Sequence, residues 1–395
     1  MKLLFSSHHA LVDPTNGASR SVRDIMSLMA HAGLGCSAFS GALLDVSPED
    51  FRTTIRGCLE ARSMPYEEVR DEPSGGSILR FEDRGVASSV YLPTAPPKVI
   101  PDRPEGEHLL RLAGELMDSV RPDVLLTYGG IWVSRKLIAM AKARGIAVAF
   151  RLTNFAYRHE DLFEGVHVLV PSQYTADYYA RTLSLGSTVI PCPLDWSRLE
   201  LPERDPRYLT FVSPCPEKGG FWAARIFAEL SRTRPDIPVL VVEGRGSLAW
   251  FCHLVQRLGD ASRVGAMRTT EDPRAFYGVT RVLLVPSMHE VSGRVAQEAL
   301  ILRIPVLASR RGGLPETLRG AGTVLEIPPE YDERSTRIPS AEEVQPWLDA
   351  LLALWDDPVA YASEQERCAE AALAYHPDVL AVRYRDFFEG LATRP

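Results

Sequence analysis

Glu290 and Glu298 stand eight positions apart in PSMHEVSGRVAQE, residues 286–298. The apolar run Val282–Val285 leads into the turn Pro286–Ser287, and Glu290 follows in the loop. Ser292 and Gly293 then open a helical pattern with Val295, Ala299 and Leu302 predicted on one face. Backbone N–H groups at such a start have no intrahelical acceptor, so those near Gly293 form an anion site. Glu290 stands before the helix and Glu298 about a turn and a half into it, so two carboxylates flank the anion site. Carboxylates accept hydrogen bonds from hydroxyls, which makes the pattern suit a nucleoside diphosphate sugar. Two solvated glutamates at a helix start would read the same way in isolation.

The neighbouring motifs supply further chemistry. After the predicted strand Val306–Ala308 comes RRGGLPE, residues 310–316, whose double glycine lets backbone approach a ligand at the carboxyl edge of a parallel sheet. Upstream, the predicted strand Tyr208–Val212 runs into SPCPEKGG, residues 213–220, which puts Lys218 and Gly219 at a strand-to-helix turn, poised for phosphate. A predicted helix, Phe221–Leu230, follows.

In this order the lysine-glycine loop, the two glutamates with an internal glycine, and the Gly-Gly-x-Pro-Glu loop resemble glycosyltransferase family 4, over about residues 208–320. The resemblance implies a GT-B fold, two Rossmann-like α/β domains facing across a cleft. It implies a retaining, metal-independent hexosyltransferase that takes a UDP- or GDP-sugar as donor substrate and needs no cofactor. Glu290 and Lys218 are then the expected catalytic residues. The expected donor contacts are Gly17, Lys218, Gly219, Arg245, His289, Glu290, Ser292, Gly293, Arg294, Val295 and Glu298.

The chain departs from the family at two places. Ser213 stands where relatives carry a phosphate-binding arginine, which leaves Arg245 or Arg294 as substitutes. Thr153, followed by Asn154, stands where many relatives carry a histidine beside the reacting sugar. His8, His9 and Asn154 are the expected acceptor contacts, and the acceptor itself is open. Two other readings remain: another GT-B sugar-active enzyme such as an epimerase or phosphorylase, or a non-catalytic GT-B partner subunit.

The elements that must position these residues alternate between strand and helix in both halves. The first half reads as strands at Lys2–Ser6, Gly35–Phe39, Asp123–Thr127, Ile146–Leu152, Val166–Pro171 and Thr188–Ile190. Helical periodicity lies between them at Ser19–Ala32, Gly106–Val120, Val133–Arg144 and Tyr174–Leu183. Strands at Val239–Val242 and Thr323–Leu325 complete the second half. The alternation predicts parallel sheets covered on both faces. Residues 72–93 read as a β-hairpin inserted into the first domain. DPTNGAS, residues 13–19, reads as a tight turn before a helix, with Gly17 admitting a ligand.

The proline-rich stretch 191–206 separates a domain at 1–190 from one at 207–376. The last segment, 377–395, reads as a helix with Leu380, Val382, Tyr384 and Phe387 or Phe388 inward; in the family such a helix commonly crosses back to the first domain.

The 395 residues, 45% hydrophobic and 24% charged, suffice for two cored domains. A net charge of −7 argues against nucleic acid as a partner. Six scattered cysteines without paired spacing suit a reduced, cytoplasmic chain, and no run reaches transmembrane length. No metal-ligand spacing is present in the sequence, and oligomeric state is not legible.

Overall fold

The computed structural model describes residues 1–45, 51–244, 246–268, 270 and 272–392, except the side chains of 51 and 52. The chain divides into two compact units. The first takes in Met1–Pro171, Thr175–Leu194 and the segment from Pro377 on; the second takes in Ser172–Tyr174 and Asp195–His376.

The first unit contains strands β1 (Lys2–His9), β2 (Gly35–Leu43), β3 (Tyr66–Asp71), β4 (Gly76–Asp83), β5 (Val86–Leu92), β6 (Val124–Thr127), β7 (Ala147–Arg151), β8 (His167–Val170) and β9 (Thr188–Val189). Its helices are α1 (Gly17–His31), α2 (Phe51–Glu60), α3 (Arg103–Val120) and α4 (Trp132–Ala143), with α5 (Gln173–Leu183) beginning among residues of the second unit. The strands form one sheet in the order β3-β4-β5-β2-β1-β6-β7-β8-β9. Pairing is parallel from β5 to β9 and antiparallel at β3/β4 and β4/β5.

The hairpin predicted at 72–93 is present as β4 and β5, paired antiparallel within the first unit. Its second strand, β5, pairs in parallel with β2 and makes the hairpin part of the main sheet. The edge strand β3 and the helix α2 have no counterpart in the sequence reading. β3 is mostly exposed and charged, so it lacks the apolar alternation that reveals a strand.

The second unit contains β10 (Tyr208–Val212), β11 (Val239–Val242), β12 (Val264–Met267), β13 (Thr280–Val285), β14 (Val306–Ser309) and β15 (Thr323–Leu325). They form a six-stranded sheet, β12-β11-β10-β13-β14-β15, in which every pair is parallel. Around it lie α6 (Gly220–Thr233), α7 (Leu248–Leu258), α8 (Arg274–Tyr277), α9 (Arg294–Ile301), α10 (Leu314–Leu318), α11 (Ala341–Asp356) and α12 (Pro358–Ala372). Successive strand side chains point to opposite faces, so each apolar run supplies two cores. Val239 and Val241 of β11 join Val282 and Leu284 of β13 in one cluster; Leu240 and Val242 join Leu283 and Val285 in another.

The last helix, α13 (Pro377–Ala392), packs in the first unit's core. It buries Leu380, Tyr384, Phe388 and Leu391, and Tyr384 Oη donates to the Pro191 carbonyl at 2.9 Å. The inward stripe runs at steps of four and three, which corrects the prediction for Val382: it is 60% exposed. No helix among the described residues is long and apolar enough to cross a membrane.

One buried ion pair ties α1 to the hairpin. Arg23 Nε meets Asp83 Oδ2 at 2.7 Å and its second nitrogen meets Oδ1 at 3.0 Å, with both side chains nearly inaccessible. Burial alone would raise the Asp83 carboxyl, but the charge and hydrogen bonds of Arg23 outweigh it and hold the pKa below its ordinary value. A depressed folded-state pKa gives stability that is present above the unfolded value of about 4 and lost as pH falls through the folded one. Asp83→Asn is expected to cost about 3–5 kcal/mol at neutral pH, because it leaves a buried guanidinium uncompensated. In urea melts at descending pH, the gap between wild type and variant should narrow below about pH 4; a constant gap would mean that the ionised pair is not what Asp83 contributes.

Candidate active site

The second unit brings three loops together at the carboxyl ends of β10, β13 and β14. After β10, Ser213 adopts φ 64° and residues Pro216–Lys218 form a 3₁₀ turn. Gly219 closes that turn at φ 79°, and α6 begins at the next residue. A β-carbon on Gly219 would lie 1.9 Å from the Pro286 carbonyl oxygen, so glycine is needed for contact with the next loop. Met288 N donates to the Glu217 carbonyl at 2.9 Å and completes the seam.

The loop after β14 makes the second close approach. A β-carbon on Gly312, at φ 60°, would lie 2.0 Å from the Glu290 carbonyl oxygen; one on Gly313 would lie 2.4 Å from that of Val291. Gly313 N donates to the Glu290 carbonyl at 2.8 Å. The glycine pair thus admits the backbone of the Glu290 loop.

These contacts bury Glu290, whose side chain is 8% exposed. Lys218 Nζ donates to Glu290 Oε1, and Ser287 Oγ donates to the same oxygen at 3.0 Å. Ser287, which the sequence reading used only as a turn residue, thus belongs to the site.

Gly293 caps α9 at φ 79°, and a β-carbon there would lie 2.5 Å from Leu314 Cδ2. The first bond along the helix runs from Ala296 N to the Gly293 carbonyl at 3.0 Å; the N–H groups of Gly293 and Val295 precede it, where a helix supplies no acceptor. Ser292 is buried, and its carbonyl accepts from Thr317 Oγ1. Ala299 of the predicted Val295–Ala299–Leu302 stripe is buried and the other two pack against the same core; Ala296, Gln297, Glu298 and Leu300 are buried as well. Val295 and Leu302 are half-buried.

Glu298 is 3% exposed and engaged at both oxygens. Arg294 Nε donates to Oε1 at 2.9 Å and Tyr277 Oη donates to Oε2 at 2.8 Å. Arg294, expected as a phosphate contact, thus has its Nε on Glu298. Tyr277 ends α8, a one-turn helix that the sequence reading did not contain; no motif spacing links it to Glu298. Neither glutamate is a solvated surface residue. Arg245 lies outside the described residues.

His289 is half-buried beside Tyr174, with ring centroids 6.2 Å apart, and its Nδ1 lies 3.7 Å from Glu333. Burial lowers its pKa, outweighing the opposing effect of Glu333. The ring is therefore neutral at physiological pH.

Of the candidate residues of the first unit, His8 and Asn154 make side-chain hydrogen bonds within the fold. Asn16 caps α1, its side-chain oxygen accepting from Ser19 N at 2.9 Å. A β-carbon on Gly17 would meet no protein atom within 4 Å, so the space in front of it is open. His8 is buried, and its Nε2 donates to the Lys98 carbonyl at 2.9 Å. Burial lowers the pKa of both His8 and His9; for His9 it outweighs the nearby Asp45 and Asp13. Asn154 is exposed, with Oδ1 accepting from Ala156 N at 2.9 Å.

The fold is GT-B, an α/β architecture of two Rossmann-like units each built on a largely parallel sheet. Residues 197–346, which hold all three loops, match the glycosyl transferases group 1 family model, and the match is consistent with the family 4 resemblance. Among curated relatives, a D-inositol 3-phosphate glycosyltransferase of Corynebacterium urealyticum is 26% identical over 187 residues, which are 45% of this chain and 41% of that protein. The matched segments span only 23% to 41% of the lengths of three such relatives.

Solved structures resemble the whole chain. A glycosyltransferase from Rickettsia africae superposes with a TM-score of 0.70 at 12% identity, covering 100% of this chain and 99% of that one. Anabaena HepE in complex with UDP gives 0.66 at 15% identity, covering 99% and 100%.

The site thus presents two buried carboxylates, each paired with a cation, Glu290 in the loop before α9 and Glu298 within that helix. Gly312→Ala is expected to lower stability by at least about 1–2 kcal/mol, the ordinary cost of a left-handed alanine, with the clash against Glu290 added. Nucleotide affinity should fall with it because the Glu290 loop must shift. Thermal melts and calorimetry check this; an unchanged melting temperature would mean that the loops do not depend on the close approach.

Proposed function

We propose that the protein is a retaining, metal-independent glycosyltransferase that moves a hexose from a UDP- or GDP-sugar to an acceptor. The single observation that carries this reading is the Lys218–Glu290 couple, held beside the start of α9 within the segment that matches the group 1 family. In this reading Lys218 and the amides near Gly293 balance the charge that grows on the leaving diphosphate. Glu290 orients hydroxyls of the transferred sugar and Glu298 binds the ribose.

The bond from the sugar's anomeric carbon to the diphosphate oxygen breaks, and the bond to the acceptor oxygen forms on the same face. The acceptor's proton passes to the departing phosphate oxygen, so no side-chain nucleophile is needed. His8, His9 and Asn154 are assigned to the acceptor, with the neutral imidazoles suited to hydroxyl contacts. The inositol phosphate named for the curated relatives is one acceptor class to assay. A cytoplasmic location belongs to the same reading.

Ser213 and Thr153, which stand in place of the family's arginine and histidine, favour one rival reading: a non-catalytic subunit that binds the donor without turnover. Product formation from a donor and acceptor panel separates the two.

Lys218→Ala should weaken binding of UDP or GDP by about 1.5–3 kcal/mol, the value of a charge-assisted hydrogen bond, while barely affecting the phosphate-free nucleoside. Equal losses for the two ligands in calorimetry would remove Lys218 from the phosphate site. Binding and turnover are also expected to survive excess EDTA; activity lost on chelation and restored by magnesium or manganese would overturn the metal-independent mechanism.

A further inference from the structure

We propose that Cys192 is an ionised thiolate that serves as the counter-ion of Arg151, and that this buried pair locks α13 into the first unit. Arg151 ends β7 and is wholly inaccessible to solvent. Its Nε donates to Ser21 Oγ at 3.2 Å, its Nη1 to the Ile190 carbonyl at 3.2 Å and its Nη2 to Cys192 Sγ at 2.9 Å. A guanidinium keeps its proton inside a protein, and a charge taken out of water needs a partner of opposite sign. Among the described residues Arg151 has no carboxylate partner. Of its three acceptors, a hydroxyl and a carbonyl stay neutral, and only the sulfur can carry a negative charge. A cation beside a thiol favours the thiolate, whose proton is released to water.

Other charged and titratable groups lie close, and none of them is the missing anion. Tyr384 of α13 acts on the guanidinium, but its Oη donates to the Pro191 carbonyl at 2.9 Å and so keeps its proton. Burial raises its pKa against the pull of Arg151. Asp24 of α1, whose charge also reaches Tyr384, is bound by Arg84 at 2.8 Å. Arg383 of α13 is a further cation and donates to the Val189 carbonyl at 2.8 Å. Ser21 of α1 donates to Cys192 Sγ at 3.5 Å.

The pair holds the segment that follows β9. Arg383 takes the Val189 carbonyl, Arg151 the Ile190 carbonyl, Tyr384 the Pro191 carbonyl and Arg151 again the Cys192 sulfur. Helix α13 and strand β7 thus grip residues 189–192 in alternation. Without the thiolate, the charge of Arg151 is uncompensated at the segment to which α13 is tied.

Ultraviolet absorbance of thiolate, measured on the full folded chain, tests the charge. An ordinary thiol, with a pKa of about 8.5, is only a few per cent ionised near pH 7. The native chain should carry a whole equivalent of thiolate there, and Cys192→Ser should remove it. Burial pushes Cys36 and Cys368 up to about 12 and Cys215 up to about 11, and it raises Cys252, so these thiols are silent at that pH. Cys58→Ser should therefore keep the signal. Thermal melts give a second readout. Cys192→Ser keeps an acceptor but not the charge, and should lower the melting temperature by roughly 5–15 °C. Cys192→Asp restores the charge and should recover at least about half of that loss.

A native chain without thiolate near pH 7 overturns the proposal, and so does a signal that survives Cys192→Ser. Cys192→Ser as stable as wild type, or Cys192→Asp no more stable than Cys192→Ser, would show that Arg151 needs no anion at this place. Should Cys192→Ser fail to fold, the spectra of wild type and Cys58→Ser decide. A signal present in both supports the thiolate at Cys192; a signal lost with Cys58 refutes it.

Discussion

The site in the second unit depends on backbone meeting backbone. Gly219 lies against Pro286, Gly312 against Glu290 and Gly313 against Val291, each at a separation that a β-carbon would prevent. Three loops that leave three parallel strands are thereby fused into one surface, stitched by Met288 N to Glu217 O and Gly313 N to Glu290 O. Close packing at this point is what buries Glu290 and brings Lys218 onto its carboxylate.

That burial sets the electrostatics. A carboxylate removed from water is costly unless it is paired and hydrogen-bonded. Glu290 has Lys218 and Ser287, and Glu298 has Arg294 and Tyr277. Both carboxylates are already oriented by these partners, so a ligand that brings hydroxyls and an anion would meet groups whose desolvation was met during folding. Such preorganisation is the physical basis of charge stabilisation in an active site.

The same economy is visible in the sheets. In the second unit every residue of the short strand β11 is buried and apolar, and alternate residues serve alternate cores. The first unit extends its sheet with an antiparallel edge, and the cost of burying Arg23 and Asp83 there is offset by their mutual pairing. The burial of Tyr384 and Phe388 within the first unit's core explains why α13 is amphipathic although it follows a long run of the second unit.

Much of this was legible in order along the chain. Apolar runs such as Val239–Val242 and Val282–Val285 identified central strands, since a strand buried on both faces is mostly apolar. The lysine-glycine loop, the two glutamates and the double glycine were legible because each is local: a few residues of fixed type at fixed spacing. What the sequence did not disclose is non-local. The exposed edge strand β3 and the short helix α8 lack a periodic apolar signal.

The pairing of Lys218 with Glu290 spans 72 positions, and that of Tyr277 with Glu298 spans 21, with no spacing rule to connect either. That Gly312 and Gly313 meet the Glu290 loop was not legible either, because a glycine's neighbour is decided by the fold and not by the residues beside it in the chain. Sequence by itself determined the alternation of strand and helix and the inventory of charged groups. Tertiary structure alone decided which charge faces which, since that depends on distances closed only when the sheet assembles.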